Sequence, residues 1–112
     1  MTLKIETYGM YHSPGMGAHS LKVSWPDHRW LPSIWYSYQA PVALRYSCSG
    51  RWTMFVSNVK GSPTTKRHLG WIAYDEEDRV EPEDFLLLLE DFLEDAELEL
   101  PEIHLRFAKR SY

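Results

Sequence analysis

Apolar and polar residues alternate along several short segments of the first part of the chain, as in strands with one buried face. The alternation predicts strands within 2–11, 21–25, 33–47 and 52–56. Ser49-Gly50 is typical of the hairpin turn that joins the last two. Pro41 predicts an edge, a bulge or a break between two strands, because proline cannot donate to a sheet.

The pattern changes after Gly61-Ser62-Pro63, which predicts a loop. Residues 64–74 fit either a short helical turn or a strand. Over 82–96, apolar residues recur at helical spacing and predict an amphipathic helix, with Pro82 suited to its first turn. The apolar stripe consists of Phe85, Leu88, Leu89, Phe92, Leu93 and Ala96. Leu87 lies off the stripe, and we expect it to widen the buried face.

Alternation returns after Pro101 and predicts a final short strand over 103–107. The helix must bury its Phe/Leu stripe, and the sheet offers the surface for it. We therefore expect an α+β fold in which an antiparallel sheet of four to six strands carries one long C-terminal helix. The 112 residues predict a single domain over 1–112.

Composition excludes several classes of protein. No apolar run reaches the roughly 18 residues of a membrane span. Residues 1–7 lack the core of a signal peptide. Cys48 is the one cysteine, which excludes an internal disulfide and a zinc site of several cysteines. We therefore expect a cytoplasmic protein with no membrane partner.

Charge is strongly segregated along the chain. Residues 1–74 hold eight Lys and Arg against two acids, a net charge of +6. Residues 75–102 hold fourteen acids against one Arg, a net charge of −13, and residues 103–112 add +3. Such segregation creates a directional field that steers a charged partner.

The predicted helix carries much of the negative charge on the side opposite its apolar stripe, where carboxylates three, four or seven residues apart share a face. The acidic residues are Glu83, Asp84, Glu90, Asp91, Glu94, Asp95 and Glu97. Two interpretations stay open. The face either imitates nucleic-acid phosphates and binds a basic groove of another protein, or is a solvated surface partly neutralised by the basic body. Asp75-Glu76-Glu77-Asp78 extends the same patch.

The basic segment 1–74 is rich in Trp and Tyr, which predicts either a nucleic-acid or nucleotide-binding module or the packing residues of a small sheet. Within it, hydroxyls, cations and an imidazole lie close together. This candidate phosphate-binding set is Thr64, Thr65, Lys66, Arg67 and His68. The set lacks the glycines of a P-loop, and the simpler explanation is a surface turn with a helix cap.

Metal binding and catalysis have weaker support in the sequence. His12, His19, Asp27 and His28 match no standard spacing of metal ligands. His68 and His104 have no evident carboxylate or serine partner beside them in sequence. Cys48 between two serines predicts a buried structural thiol rather than a nucleophile. We expect no cofactor, no metal and no enzymatic activity.

A motif in the middle of the chain resembles a pattern in small phage and mobile-element proteins of unknown function. Its residues are Ser37-Tyr38-Gln39-Ala40-Pro41-Val42-Ala43, Asn58, Ser62, Thr64-Thr65 and Lys66-Arg67-His68. Members show Ser-Tyr-x-Thr-Pro-Val/Ile-Ala and then Ser-x-Thr-Thr-x-x-His, and Ala40 stands here where Thr is usual. The resemblance, over about residues 35–70, implies a viral or mobile-element setting and no catalysis. In charge and size alone, the chain is also similar to anti-restriction and anti-CRISPR inhibitors.

The sequence thus predicts a non-enzymatic binding protein whose acidic helix docks on a basic surface of a host nucleic-acid-handling protein. The alternative is a nucleic-acid or nucleotide-binding module that uses the basic, aromatic-rich body. An edge strand near Pro41 or over 103–107 also offers a second copy of the chain a place to pair, as a homodimer.

Overall fold

A computed structural model describes residues 2–8, 20–61, 63–72 and 79–101, with the backbone alone for Thr64. Six strands form one sheet in chain order. They are β1 (Lys4–Thr7), β2 (Ser20–Ser24), β3 (Ser33–Ser37), β4 (Ala40–Cys48), β5 (Arg51–Ser57) and β6 (Arg79–Val80). Two helices, α1 (Pro63–Ile72) and α2 (Pro82–Ala96), complete the described part of the chain. The α+β class is confirmed, with one helix more than the sequence predicted.

The sheet is mixed, which corrects the expectation of a purely antiparallel one. Strands β1 to β5 pair antiparallel, whereas β5 and β6 run parallel with Val56 opposite Arg79 and Ser57 opposite Val80. Parallel neighbours need a crossover connection, and α1 lies within the connection from β5 to β6. Residues 64–74, for which a short helical turn or a strand was expected, therefore contain most of a full helix.

A tight turn and a bulge set the register of the central strands. Ser49 and Gly50 both have positive φ, as a two-residue hairpin turn requires, which confirms the predicted turn. Between β3 and β4, Tyr36 pairs with Pro41 and Trp35 pairs with Ala43, so one extra residue forms a bulge beside the proline. Of the alternatives predicted at Pro41, the bulge is confirmed, whereas the edge strand is wrong because β4 is bordered by β3 and β5.

Each helix packs on its own face of the sheet. α2 buries Phe85 and Leu89 against residues that include Val23, Ile34 and Leu44, as its apolar stripe predicted. On the opposite face, Leu69 of α1 lies in a second apolar cluster. That cluster also contains Trp35, Val42, Ala43 and Val56.

Leu87 is 61% exposed, so the expectation that it widens the buried face is wrong. It lies two residues from both Phe85 and Leu89, which at about 100° per residue places it on the far side of the helix. Elsewhere, the predicted strand over 103–107, the acidic segment 75–78 and the histidines His12, His19 and His104 lie outside the described residues. In the described part, no helix is both long and apolar enough to span a bilayer.

Candidate functional site

The outward side of α2 carries the acidic residues that the sequence singled out. All seven side chains are exposed: Glu83, Asp84, Glu90, Asp91, Glu94, Asp95 and Glu97. Six of them lie on the helix, and Glu97 is its C-cap residue. We call these seven residues the acidic face.

The acidic face is not neutralised within the described residues. The ion pairs found there join Lys4 and Lys22 to Glu6, far from α2 in sequence and on the other side of the sheet. None of the seven carboxylates has a described Lys or Arg partner. No described ion pair therefore supports the interpretation that the basic body partly neutralises this face.

An exposed leucine lies in the middle of these carboxylates. Glu83 and Asp84 precede Leu87 by four and three residues, and Glu90 and Asp91 follow it by three and four. Residues at those spacings are neighbours on a helix surface, so four carboxylates surround one apolar side chain. Leu86 beside it is also exposed. The sequence already indicated that these leucines are exposed, because both lie off the apolar stripe. Leu87 was nevertheless expected to widen the buried face.

His28, which the sequence made a weak metal-ligand candidate, instead holds the C-terminal end of α2. Its Nδ1 accepts a hydrogen bond from the backbone N–H of Trp30 at 3.0 Å. Nε2 therefore carries the proton and donates to the carbonyl oxygen of Ala96, also at 3.0 Å. Both ring nitrogens are thus used in positioning the acidic face. Among the described residues, no three His, Cys, Asp or Glu side chains form a metal-ligand cluster. Cys48 is exposed at the end of β4, so the expectation that its thiol is buried is wrong.

The candidate phosphate-binding set divides between two environments. Thr65 and His68 are buried, whereas Lys66 and Arg67 are exposed. The side chain of Thr64 lies outside the described part of the structure. The set does not form one surface, and phosphate binding stays a prediction that rests on Lys66 and Arg67.

The buried members of that set join α1 to the sheet. Ser37 Oγ lies 2.7 Å from His68 Nδ1 and 3.2 Å from Thr65 Oγ1. The His68 ring is surrounded by aromatic rings at centroid distances of 5.6 to 6.0 Å. They belong to Tyr8, Tyr38 and Trp71. Ser37 and His68 are both buried, so this Ser–His pair offers no path for a substrate and acts as a link between β3 and α1.

The aromatic residues of the basic body divide between core and surface. Those that are buried or half-buried are Tyr8, Trp25, Trp30, Trp35, Tyr36, Tyr46 and Trp71. Tyr38 and Trp52 are exposed, and Tyr11 and Tyr74 lie outside the described residues. Most of the described rings are therefore packing residues, and Trp52 is the tryptophan available to a ligand.

A family model matches residues 6–86 of the chain, and its description is a family of unknown function, DUF8033. The chain belongs to the DUF8033 family. No curated protein and no solved structure matches it. The DUF8033 match contains Ser37, Thr65 and His68, and it ends at Leu86 in α2. The match confirms the coarser part of the resemblance, namely that the chain belongs to a family of unknown function. The phage or mobile-element setting remains a prediction.

Proposed function

We propose that this DUF8033 protein is a non-enzymatic binding protein whose acidic face docks on a basic surface of another protein. The partner class is a host protein that handles nucleic acid, and the setting is a phage or mobile element in the host cytoplasm. In this proposal the carboxylates take the place of nucleic-acid phosphates, so the protein acts as an inhibitor. The observation that carries it is the exposed Leu87 among four carboxylates that have no described ion-pair partner.

The arrangement has a cost to the free protein, which supports a role in binding. Carboxylates three or four residues apart on a helix repel each other by a few tenths of a kcal/mol per pair. Glu90 and Glu94 are one such pair, and Asp91 and Asp95 are another. A helix that served solubility alone would usually mix the signs of its charges.

The same face also limits the kind of partner. The unpaired carboxylates favour lysines and arginines across the interface, and these steer a fast encounter that weakens as salt rises. Leu87 adds an apolar contact at the centre of the charged surface, where binding energy concentrates in interfaces. The partner should therefore have a cationic groove with an apolar floor, as a protein that holds a nucleic-acid backbone would present.

The test compares two double variants with the same change in net charge. Glu90→Gln with Glu94→Gln alters the acidic face, whereas Glu81→Gln with Glu99→Gln alters exposed acids outside it. The ligands are purified CRISPR effector complexes and restriction nucleases, each holding a fluorescent DNA that the protein should displace. We expect the first variant to lose affinity by about 10-fold or more and the second to retain it.

Leu87→Ala should weaken the same displacement without a change in its salt dependence, because it removes no charge. Displacement that is identical in the Glu90/Glu94 variant and the wild type would refute the proposal for that partner. Failure of the wild type to displace DNA from any member of the panel would refute the choice of partner class.

A further inference from the structure

A row of cationic and aromatic side chains crosses the face of the sheet opposite α2. Val23, Ile34 and Leu44 pack in the α2 cluster, and successive residues of a strand point to opposite faces. The neighbouring residues therefore point away from α2. The row consists of Lys22 on β2, Trp35 on β3, Arg45 on β4 and Trp52 on β5, and we call it the cation–aromatic row.

The members of the row are stacked on one another. Lys22 Nζ lies 5.1 Å from the centre of the Trp35 ring. Arg45 Cζ lies 5.5 Å from the Trp35 ring and 4.9 Å from the Trp52 ring, so its guanidinium contacts both indoles. These distances are within the range of cation–π attraction, which holds the cations in place on the sheet.

The row is open to solvent at its β5 end. Trp35 is 8% exposed and forms the floor, whereas Trp52 is 56% exposed and Met54 beside it 40%. α1 packs over Trp35 and Ala43, and it leaves the end with Trp52 uncovered. β6 pairs with Val56 and Ser57 alone, so the rest of β5 is an edge within the described sheet.

The row has a net positive charge. Arg45 has no carboxylate partner among residues 2–8, 20–61, 63–72 and 79–101, and no described group accepts a hydrogen bond from its buried Nε. Lys22 Nζ lies 3.7 Å from Glu6, and Lys4 Nζ lies 4.0 Å from the same carboxylate. Three cations thus stand against one acid, and the acidic face of α2 lies on the other side of the sheet.

We propose that the cation–aromatic row binds single-stranded nucleic acid. An exposed indole beside an arginine with no described carboxylate partner is the combination that stacks an unpaired base and holds its phosphates. A duplex hides the faces of its bases, so this surface favours a single strand. Three strand spacings of about 4.8 Å separate β2 from β5, which makes the row roughly 14 Å long, enough for about two nucleotides. The site does not overlap the acidic face, so the two proposals are independent.

The test measures the anisotropy of fluorescein-labelled dT12 and rU12 as the intact protein is added. We expect both to bind, with affinity falling as salt rises. Trp52→Ala should weaken binding by about 10-fold through loss of base stacking, and Trp52→Phe should restore most of it. Lys22→Ala should lower the slope of log affinity against log salt by about 0.7, as loss of one phosphate contact predicts.

Arg29→Ala is the matched control, because Arg29 is an exposed cation outside the row that stacks on Trp30, a residue of the α2 cluster on the other face of the sheet. A preference for one oligonucleotide over the other would identify the bound strand as DNA or RNA and support the proposal. The proposal would be overturned by no binding of either oligonucleotide, by equal binding of a 12-base-pair duplex, or by a loss in Arg29→Ala that Trp52→Ala does not share. A dimer in light scattering that Trp52→Ala abolishes would assign the row to a second copy of the chain and also overturn it.

Discussion

Ser37 Oγ on β3 lies 2.7 Å from Nδ1 of His68 on α1, and both side chains are buried. The same hydroxyl donates to Thr65 Oγ1 at 3.2 Å. A serine hydroxyl has one proton to donate, so its oxygen accepts the hydrogen bond from the Nδ1–H of His68. Ser37 thus determines the tautomer of a buried histidine and fastens α1 to the sheet.

Ser37→Ala should lower the free energy of unfolding by about 1–3 kcal/mol, because it leaves the buried His68 Nδ1–H and the Thr65 hydroxyl without this partner. Urea denaturation measures the change. Ser47→Ala is the control, since Ser47 is half-buried on β4 and its hydroxyl forms no hydrogen bond within the described residues. Equal stability of the two variants would contradict a role for the Ser37 bond.

The sequence brought the residues of this link into one motif but could not place them in contact. Ser37 and His68 are 31 residues apart, and the strands β4 and β5 lie between them. Their approach depends on the β5–α1–β6 crossover, and β6 is only two residues long. Pairing over such a distance leaves no periodic signal in the sequence, which is why a mixed sheet and a full α1 were not predicted.

Two leucines of α2 test its orientation. Leu89→Ala should lower the free energy of unfolding by about 2–5 kcal/mol, because Leu89 is 2% exposed in the core. Leu87→Ala removes the same atoms from an exposed position and should change the free energy by less than about 0.5 kcal/mol. Thermal or urea unfolding checks both. Similar losses in the two variants would mean that Leu87 is buried after all.

The helix itself was the most predictable element, since the strict spacing of Phe85, Leu89 and Phe92 specifies a buried side. Leu87 was expected to widen the buried face although it lies off the apolar stripe. That prediction was wrong because the angular position of a residue on the helix, and not its hydrophobicity, decides which side it faces. An apolar residue at that angle lies on the polar side of the helix whatever its hydrophobicity, and single exposed leucines are common on protein surfaces. The cation–aromatic row from Lys22 to Trp52 was harder to predict from the sequence. Its members lie on four strands, and no single segment determines the register that brings them together.

Glu97 ends α2 in the left-handed region, at φ 56° and ψ 42°. Glycine adopts this conformation without strain, so Glu97→Gly should raise the free energy of unfolding by about 0.5–1 kcal/mol. Glu97→Gln is the control for charge, since a carboxylate at a helix C-terminus is itself unfavourable by a few tenths of a kcal/mol. A gain as large in Glu97→Gln as in Glu97→Gly would assign the whole effect to charge rather than to the backbone.

The hydroxyl of Tyr36 is buried and has no hydrogen-bond partner in the described structure. Tyr36→Phe keeps the ring and removes this unsatisfied group, so we expect it to raise the free energy of unfolding at neutral pH by on the order of 1 kcal/mol. Urea denaturation at pH 7 measures the change. A loss of stability would show that the hydroxyl has a partner in the folded protein.

The same residue predicts how stability depends on alkaline pH. Burial raises the pKa of Tyr36 from 10.0 to about 12, because the phenolate is disfavoured away from water. Below pH 10 the phenol is protonated in both the folded and the unfolded chain. Between about pH 10 and 12 the unfolded chain releases the proton while the folded protein keeps it, so stability falls as pH rises. Tyr36→Phe should lose less stability over this interval than the wild type, and parallel losses would contradict the raised pKa.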